Sequence, residues 1–253
     1  LTATKIIGQI AKAAGVRKFI FASSCSVYGA QDAILNENSP TNPLSLYART
    51  KIASERVLDE LRSDYFAPIF LRFGTVYGFS GRTRFDLVAN LLTANAYTKK
   101  EMTVFGKDQT RPFVHVNDAA YSIVCALKEN FSNVDQLVFN IGSNAQNCTL
   151  YELAEMIQRQ IPDSKIITEE GNEDSRNYNV SFDKAEKILG FKTSWTIEDG
   201  IAQVIKKFES GEIKDYNHSQ YSNLKHLHEK GLETLTSEEL FNWEEAFLEE
   251  TYT

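Results

Sequence analysis

The sequence predicts an α/β fold built on a parallel sheet, and two observations carry the prediction. Over residues 1–80, short apolar runs rich in Phe, Ile and Leu alternate with amphipathic helical patterns. That is the pattern of strands covered by helices on both faces. One run, Phe19-Ile20-Phe21-Ala22, leads directly into Ser23-Ser24-Cys25-Ser26. Polar side chains therefore collect at a strand's C-terminal end, where open α/β sheets hold their ligands.

The elements follow in order. Ile6, Ile7, Ile10, Ala11 and Ala14 fall at helical spacing, which predicts a helix over 2–14 that Gly15 ends. A strand over 17–23 follows, then a loop holding Pro40 and Pro43, a helix over 45–63 and a strand over 68–73. Beyond 81 the pattern loosens: a helix over 84–97, then short strands over 102–105 and 112–116 around the turn Gly106-Lys107-Asp108. Asn117-Asp118 is placed to cap a helix reaching 129, and 136–141 reads as a strand. Thr149-Leu150-Tyr151-Glu152 is a capping-box pattern before a helix reaching 160. A strand over 164–168 and helices over 183–189 and 197–209 come next, with Gly190 as a C-cap. Thr236-Ser237-Glu238-Glu239 repeats the capping pattern before a helix over 240–250.

The 253 residues can form one large domain or two, and 42% hydrophobic with 24% charged residues is ordinary for a globular protein. No run approaches the ~18 apolar residues of a membrane span, and no signal-peptide core is visible. Cys25, Cys125 and Cys148 are scattered, with no C-x-x-C spacing. This argues against a zinc site or a disulfide framework and fits a reducing cytoplasm. The net charge of −7 sits at one end: residues 211–253 hold ten acids and three lysines, while 1–210 hold 24 residues of each sign. A basic footprint for nucleic acid is missing. The acidic tail reads as a solvated helix face, with a partner-binding surface as the alternative.

Tyr47 and Lys51 lie four apart in a helical pattern and share one face. With a Ser24 hydroxyl at the strand end, they suit proton transfer at a sugar or alcohol hydroxyl. A free Tyr has a pKa of about 10 and is a poor base near neutrality. A neighbouring ammonium stabilises the phenolate and lowers that value. Ser23 and Ser26 read as turn hydroxyls serving local backbone groups, with a ligand contact as the alternative. Cys25 reads as packing volume, Asp118 as an N-cap and His115 as structural. His226-x-His228 lacks a third ligand, so no metal site is expected.

Several motifs occur together in one order. Gly15-Val16-Arg17-Lys18-Phe19-Ile20-Phe21-Ala22-Ser23-Ser24 precedes Tyr47-x-x-x-Lys51. Leu71-Arg72-Phe73-Gly74-Thr75-Val76-Tyr77-Gly78 follows. Then come Val104-Phe105-Gly106, Arg111-Pro112-Phe113-Val114-His115-Val116-x-Asp118, and Arg176 ahead of Ser181-Phe182-Asp183-Lys184-Ala185. This set resembles the extended short-chain dehydrogenase/reductase family, in its NAD-dependent epimerase/dehydratase group acting on nucleotide sugars. The resemblance runs along most of 1–215.

The resemblance implies a Rossmann-like parallel sheet followed by a smaller mixed α/β substrate domain. Residues 1–80 would be the C-terminal part of the NAD-binding domain. Residues 81–215 would bind the nucleotide sugar, with parts of 111–141 returning to the sheet, and 216–253 would form an acidic helical tail. Ser24 would bind and polarise the sugar oxygen, Tyr47 would be the general acid/base, and Lys51 would hold the nicotinamide ribose. Ser23, Phe73, Gly74 and Val76 would line the cofactor beside Tyr47 and Lys51. Ser26 and Thr75 would border the substrate, Phe105 would pack against the base, and Arg111 and Arg176 would hold the diphosphate. The implied cofactor is NAD, with NADP as the alternative, and the implied state is a homodimer built on residues 1–14 and 45–63.

The departures from the family pattern are informative. Cys25-Ser26 stand where 4,6-dehydratases of the family carry an Asp-Glu pair, which disfavours dehydration. Thr75 stands where many epimerases have Asn. No two of the 13 glycines are spaced i, i+2, so G-x-G-x-x-G is absent. The sequence therefore reads as an incomplete Rossmann sheet, a fragment of an NAD(P)-dependent nucleotide-sugar epimerase or ketoreductase, expected to be inactive alone. The alternative is a non-catalytic remnant that binds a nucleotide sugar or a protein partner.

Overall fold

The computed structural model describes residues 1–130, 137–169 and 177–231. The chain opens with α1 (Thr2–Ala13) and β1 (Lys18–Ser24), then a 3₁₀ turn (Cys25–Tyr28) and the short β2 (Ile34–Leu35). Next come α2 (Leu46–Asp59), β3 (Ala67–Phe73), β4 (Thr75–Tyr77) and α3 (Val88–Lys99). β5 (Glu101–Phe105), β6 (Thr110–His115), α4 (Val116–Lys128) and β7 (Val138–Ile141) follow. The remainder is β8 (Asn147–Thr149), α5 (Leu150–Gln160), β9 (Lys165–Glu169), β10 (Asn179–Val180), α6 (Asp183–Leu189), α7 (Ile197–Glu209) and α8 (Asn223–His226). The capping pattern at Thr236 and the helix expected over 240–250 lie outside the described residues.

The main sheet has the order β1-β3-β7, all parallel, with Ser23 opposite Arg72 and Ser24 opposite Phe73. Its partner across the molecule is a small mixed sheet, β4-β6-β8, in which β6 runs parallel to β4 and antiparallel to β8. The strands either side of the Gly106 turn do not pair with each other: β5 pairs with β9 instead. Among the described residues β1 is an edge strand of its sheet, and its residues 18–22 are only partly covered. β3, in the middle, is buried almost throughout.

Four buried clusters hold the described residues together, and three of them position the site. Ile69, Leu71 and Phe139 of the main sheet pack with Val114 and with Ala119 and Ala126 of α4. Leu92 of α3, Leu153 and Ile157 of α5, and Ile201 of α7 close over Met102, Val104 and Phe113. A third cluster seats Val27 and Tyr28 of the 3₁₀ turn against Leu35, Tyr178, Val180 and Phe182. It clamps the turn after the serines between Leu35 and a segment that starts 143 residues later, at Tyr178.

Helix ends differ from the sequence expectations for local reasons. α3 starts at Val88, not 84, because Asn90 Nδ2 donates to Arg84 O (3.0 Å) and Leu87 stays extended. α2 ends at Asp59, short of 63, and Arg62 folds back onto Asp59. The N-cap of α4 is His115, whose Nδ1 accepts from Asn117 N–H (3.2 Å). Asp118, expected to cap, instead accepts from Ser194 N–H (3.0 Å) and Trp195 N–H (3.1 Å). The capping box at Thr149 and the left-handed Gly190 C-cap form as the sequence predicts. α1 packs on α2 through Gly8, where a Cβ would come within 2.6 Å of Leu58. That contact turns Ile6, Ile7 and Ile10 outward.

Candidate active site

Ser23 and Ser24 end β1, and the chain immediately tightens into the 3₁₀ turn. Ser24 Oγ caps that turn: it accepts from Ser26 N–H (3.2 Å) and from Ser26 Oγ (2.9 Å). Ser24 is half-buried while Ser26 is buried. The Ser26 hydroxyl thus serves the neighbouring Ser24 side chain and not the backbone group expected of it. Ser23 does not: its hydroxyl donates to Glu55 of α2. In a strand, successive side chains face opposite ways, so Ser23 points at the helix that covers the sheet and Ser24 does not.

α2 begins at Ser45, whose Oγ accepts from Ala48 N–H (3.2 Å). This N-cap sets the phase in which Tyr47, Lys51 and Glu55 line one face. Lys51 Nζ donates to Ala22 O (2.8 Å) and lies over the rings of Phe21 (5.0 Å) and Tyr47 (5.5 Å). Burial pulls the Lys51 pKa below its ordinary value, and the Glu55 carboxylate opposes that. Tyr47 is 55% exposed, so its ring opens to solvent while its neighbour is anchored. Lys51, with the Tyr47 ring beside it, is therefore held at the strand two residues before Ser24.

Phe73, Gly74, Thr75 and Val76 continue the same edge. Phe73 lies opposite Ser24 and Ile141. Gly74 N–H donates to Ile141 O (3.0 Å), and a Cβ there would approach Pro112 O to 3.1 Å. The glycine lets β3 pass from one sheet to the other, after which Thr75 pairs with Phe113.

Beneath the serines lies a polar network that the sequence reading missed. Arg72 Nε and Nη2 donate to the two oxygens of Glu55 (3.0 and 2.6 Å), and Nη1 donates to Tyr28 Oη (3.0 Å). Tyr28 Oη donates to Asn140 Oδ1 (2.8 Å). Asn140 N–H donates to Glu37 (2.8 Å), and Lys184 Nζ donates to Val138 O (2.8 Å). Burial opposes the Arg72 charge, but its bonds to Glu55 and the nearby Tyr28 outweigh that and push its pKa up. Burial pushes Cys25 up strongly, which leaves it a packed thiol donating to Arg72 O (3.1 Å). A charged residue in the run Ile69-Phe70-Leu71-Arg72-Phe73, and a Glu four residues after Lys51, were the available signals.

The expected nucleotide-binding residues sit elsewhere. Arg111 is buried; its guanidinium donates to Thr110 O (3.0 Å) and Gln109 Oε1 (2.9 Å) and lies over Tyr178 (5.7 Å). Phe105 is exposed at the end of β5. Next to it opens a cleft of about 500 Å³ lined by Gly106, Lys107, Asp108, Gln109, Thr168, Glu169 and Asn177. Arg176 lies outside the described residues. His115 is structural: its Nε2 meets Gln203 Oε1 (3.0 Å), and its ring stacks on Trp195 at 4.0 Å. Among the described residues no group of three or more His, Cys, Asp or Glu could hold a metal ion, and no helix is long and apolar enough to cross a membrane.

Comparison with known proteins agrees with this fold. The family model for the NAD dependent epimerase/dehydratase family matches residues 1–142. A protein of Methanocaldococcus jannaschii is 31% identical over 208 residues, covering 80% of this chain and 62% of its own length. The UDP-glucuronate 4-epimerase of Thermodesulfobacterium geofontis is 27% identical, over 81% of this chain and 63% of its own. The chain thus spans less than two thirds of these relatives. Among solved structures, MoeE5 in complex with UDP-glucuronic acid and NAD superposes with a TM-score of 0.73 at 27% identity, covering 83% of this chain and 71% of that one. The Bacillus cereus UDP-glucuronic acid 4-epimerase in complex with NAD gives 0.70 at 25% identity, covering 81% and 66%. The Rossmann-type parallel sheet, the serine turn and the Tyr47–Lys51 helix face, with a family match over more than half the chain, make this protein a member of the NAD-dependent epimerase/dehydratase family.

Proposed function

We propose that this chain carries the catalytic face of an NAD(P)-dependent enzyme acting on a nucleotide-diphosphate sugar, with epimerisation or ketoreduction ahead of dehydration. The observation that carries the reading is the bond from Lys51 Nζ to Ala22 O. It fixes the Tyr47–Lys51 face against the strand end two residues before Ser24. Tyr47 takes or returns the proton of the reacting sugar hydroxyl. Lys51 favours the phenolate electrostatically. Ser24, whose Oγ already accepts from Ser26, offers its own O–H to the sugar oxygen. Cys25 and Ser26 supply no carboxyl group for removing water.

The residues at this sheet end suit the nicotinamide ribose: an anchored ammonium, an open phenol, and Phe73, Gly74 and Val76 beside them. When bound, the dinucleotide would supply hydride exchange with a sugar carbon. The 253 residues hold no G-x-G-x-x-G turn for its pyrophosphate. By itself this chain is therefore expected to show no NAD-dependent turnover. Phe105, the cleft beside it, Arg111 and Arg176 are the proposed nucleotide and diphosphate contacts. The outward Ile6, Ile7 and Ile10 of α1 support pairing of two copies.

The test uses UDP-glucose and UDP-glucuronic acid, with and without added NAD(H) or NADP(H). It is run on this chain and on the product of any in-frame extension of its reading frame. Turnover that Tyr47→Phe lowers by roughly 10²–10⁴-fold supports the reading. An active Tyr47→Phe variant, or an extended product carrying a glycine-rich turn that converts no nucleotide sugar, refutes it.

A further inference from the structure

The network under the serines leads beyond the catalytic face itself. Glu55 follows Lys51 by one turn of α2, as Lys51 follows Tyr47, so the three form a single row. Two adjacent residues of β1 are held by two adjacent rungs of that row: Ala22 O by Lys51 and Ser23 Oγ by Glu55. Glu55 is in turn gripped by the Arg72 fork. The third donor of Arg72 holds Tyr28, the last residue of the turn that begins after Ser24, and its carbonyl accepts from Cys25. Both ends of the serine turn are thereby tied to one ion pair, whose side chains are each 6% exposed.

We propose that Glu55 and Arg72 act as a positioning pair, locking the serine turn to the Tyr47–Lys51 face and setting the charge balance of that face. A buried carboxylate with a bidentate guanidinium is net neutral, and this suits a site that must hold an ammonium next to a phenol. The pair is poor evidence for stability alone, because desolvation offsets most of its attraction. Its geometry instead joins the three elements that carry the reactive groups: β1, α2 and the 3₁₀ turn.

The charged and titratable groups around the pair are few. Lys51 faces Glu55 from α2 itself, while Tyr28 and Cys25 face Arg72 from the turn. Glu37 lies on the far side in the loop before α2, and Lys184 lies there in α6. Neutralising Glu55 removes the carboxylate that supports the Lys51 ammonium against its burial. At one helical turn and an effective dielectric near 20–40, its titration falls by about one to two pH units.

This inference rests on the proposed roles of Tyr47 and Lys51, but its test needs neither substrate nor coenzyme. The 253-residue chain is labelled with [ε-¹³C]lysine, and the Lys51 resonance is assigned with Lys51→Arg. Its titration is followed by NMR in the wild type, in Glu55→Gln, in Glu55→Asp and in the double variant Glu55→Gln/Arg72→Met. The expected result is a lowered Lys51 titration in Glu55→Gln and in the double variant, which both lack the carboxylate, with the wild-type value in Glu55→Asp. Should Glu55→Gln fail to fold, the comparison of Glu55→Asp with the double variant stands in: a lower Lys51 titration in the double variant supports the carboxylate as the charge that holds Lys51, and equal titrations overturn it. Lys51 titrating alike in a folded Glu55→Gln and the wild type also overturns it. Turnover is scored separately, so a missing activity and a missing titration shift are distinct results.

Discussion

Replacing Lys51 by Met probes the electrostatic link on which the site depends. The ammonium lies 5.5 Å from the Tyr47 ring centre and is pinned there by Ala22 O. Tyr47 is more than half exposed, so solvent screens the interaction. With an effective dielectric of about 40–80, two unit charges at that separation interact by about 0.75–1.5 kcal/mol. Removing the cation destabilises the phenolate by that amount, so the Tyr47 titration rises by about half to one pH unit. Methionine keeps the stem over Phe21, and losing the bond to Ala22 O costs only about 1 kcal/mol of stability. The assay is phenolate ultraviolet absorbance against pH. Tyr47→Phe, alone and combined with Lys51→Met, subtracts the other tyrosines. In an active extended product, the acidic limb of kcat/KM should move upward by the same amount. A Tyr47 titration indistinguishable between wild type and Lys51→Met would refute the idea that this lysine tunes this tyrosine.

Three further outcomes follow from the packing. Asp118→Ala strips the acceptor from Ser194 N–H and Trp195 N–H; urea unfolding should show a loss of about 3–6 kcal/mol, since bonds to a charged acceptor contribute about 1.5–3 each. Gly78→Ala sets a Cβ 2.2 Å from His115 Nε2 at φ 95°. His115 is pinned between Trp195 and Gln203, so a loss of more than about 2 kcal/mol is expected by the same assay. Burial lowers the His115 pKa below its ordinary 6.5 despite the bond to Gln203. The folded protein therefore binds fewer protons there than the unfolded chain. Its contribution to stability is present above pH 6.5 and is lost as pH falls through the folded value. His115→Asn, which keeps an N-cap acceptor without a titrating ring, should flatten that slope; an unchanged slope would count against the assignment.

What the sequence revealed, and what it hid, divides along a physical line. The Thr149 and Gly190 helix signals depend on residues three or four apart, and both were legible. Tyr47 and Lys51 were legible for the same reason, since one helix face needs no tertiary information. Pairings across long stretches of chain were not. β2 meets β10 over two residues each, with 143 residues between them, and no local pattern announces so short a ladder. α1 shows the limit of periodicity itself. Its isoleucines mark an apolar stripe, yet the buried contact with α2 runs through Gly8, because close backbone approach needs the absence of a side chain. Ser23 and Asp118 were misjudged by the opposite error: each was assigned a local backbone partner, and each serves a segment far away.

The same line explains why Glu55 and Arg72 went unread. An exposed glutamate four residues after a lysine on a helix is commonplace, and an arginine in a strand usually reaches solvent. Only the register that sets Ser23 opposite Arg72, together with the phase of α2 fixed at Ser45, puts the two charges face to face under the serines. Each alone would be a costly buried ion; together they are tolerated because each nitrogen of the fork meets an acceptor. A pair of this kind contributes little net stability, so its placement calls for another reason. The structure offers one, because the groups it grips are the hydroxyls of Ser23 and Tyr28 and the thiol of Cys25, on either side of Ser24.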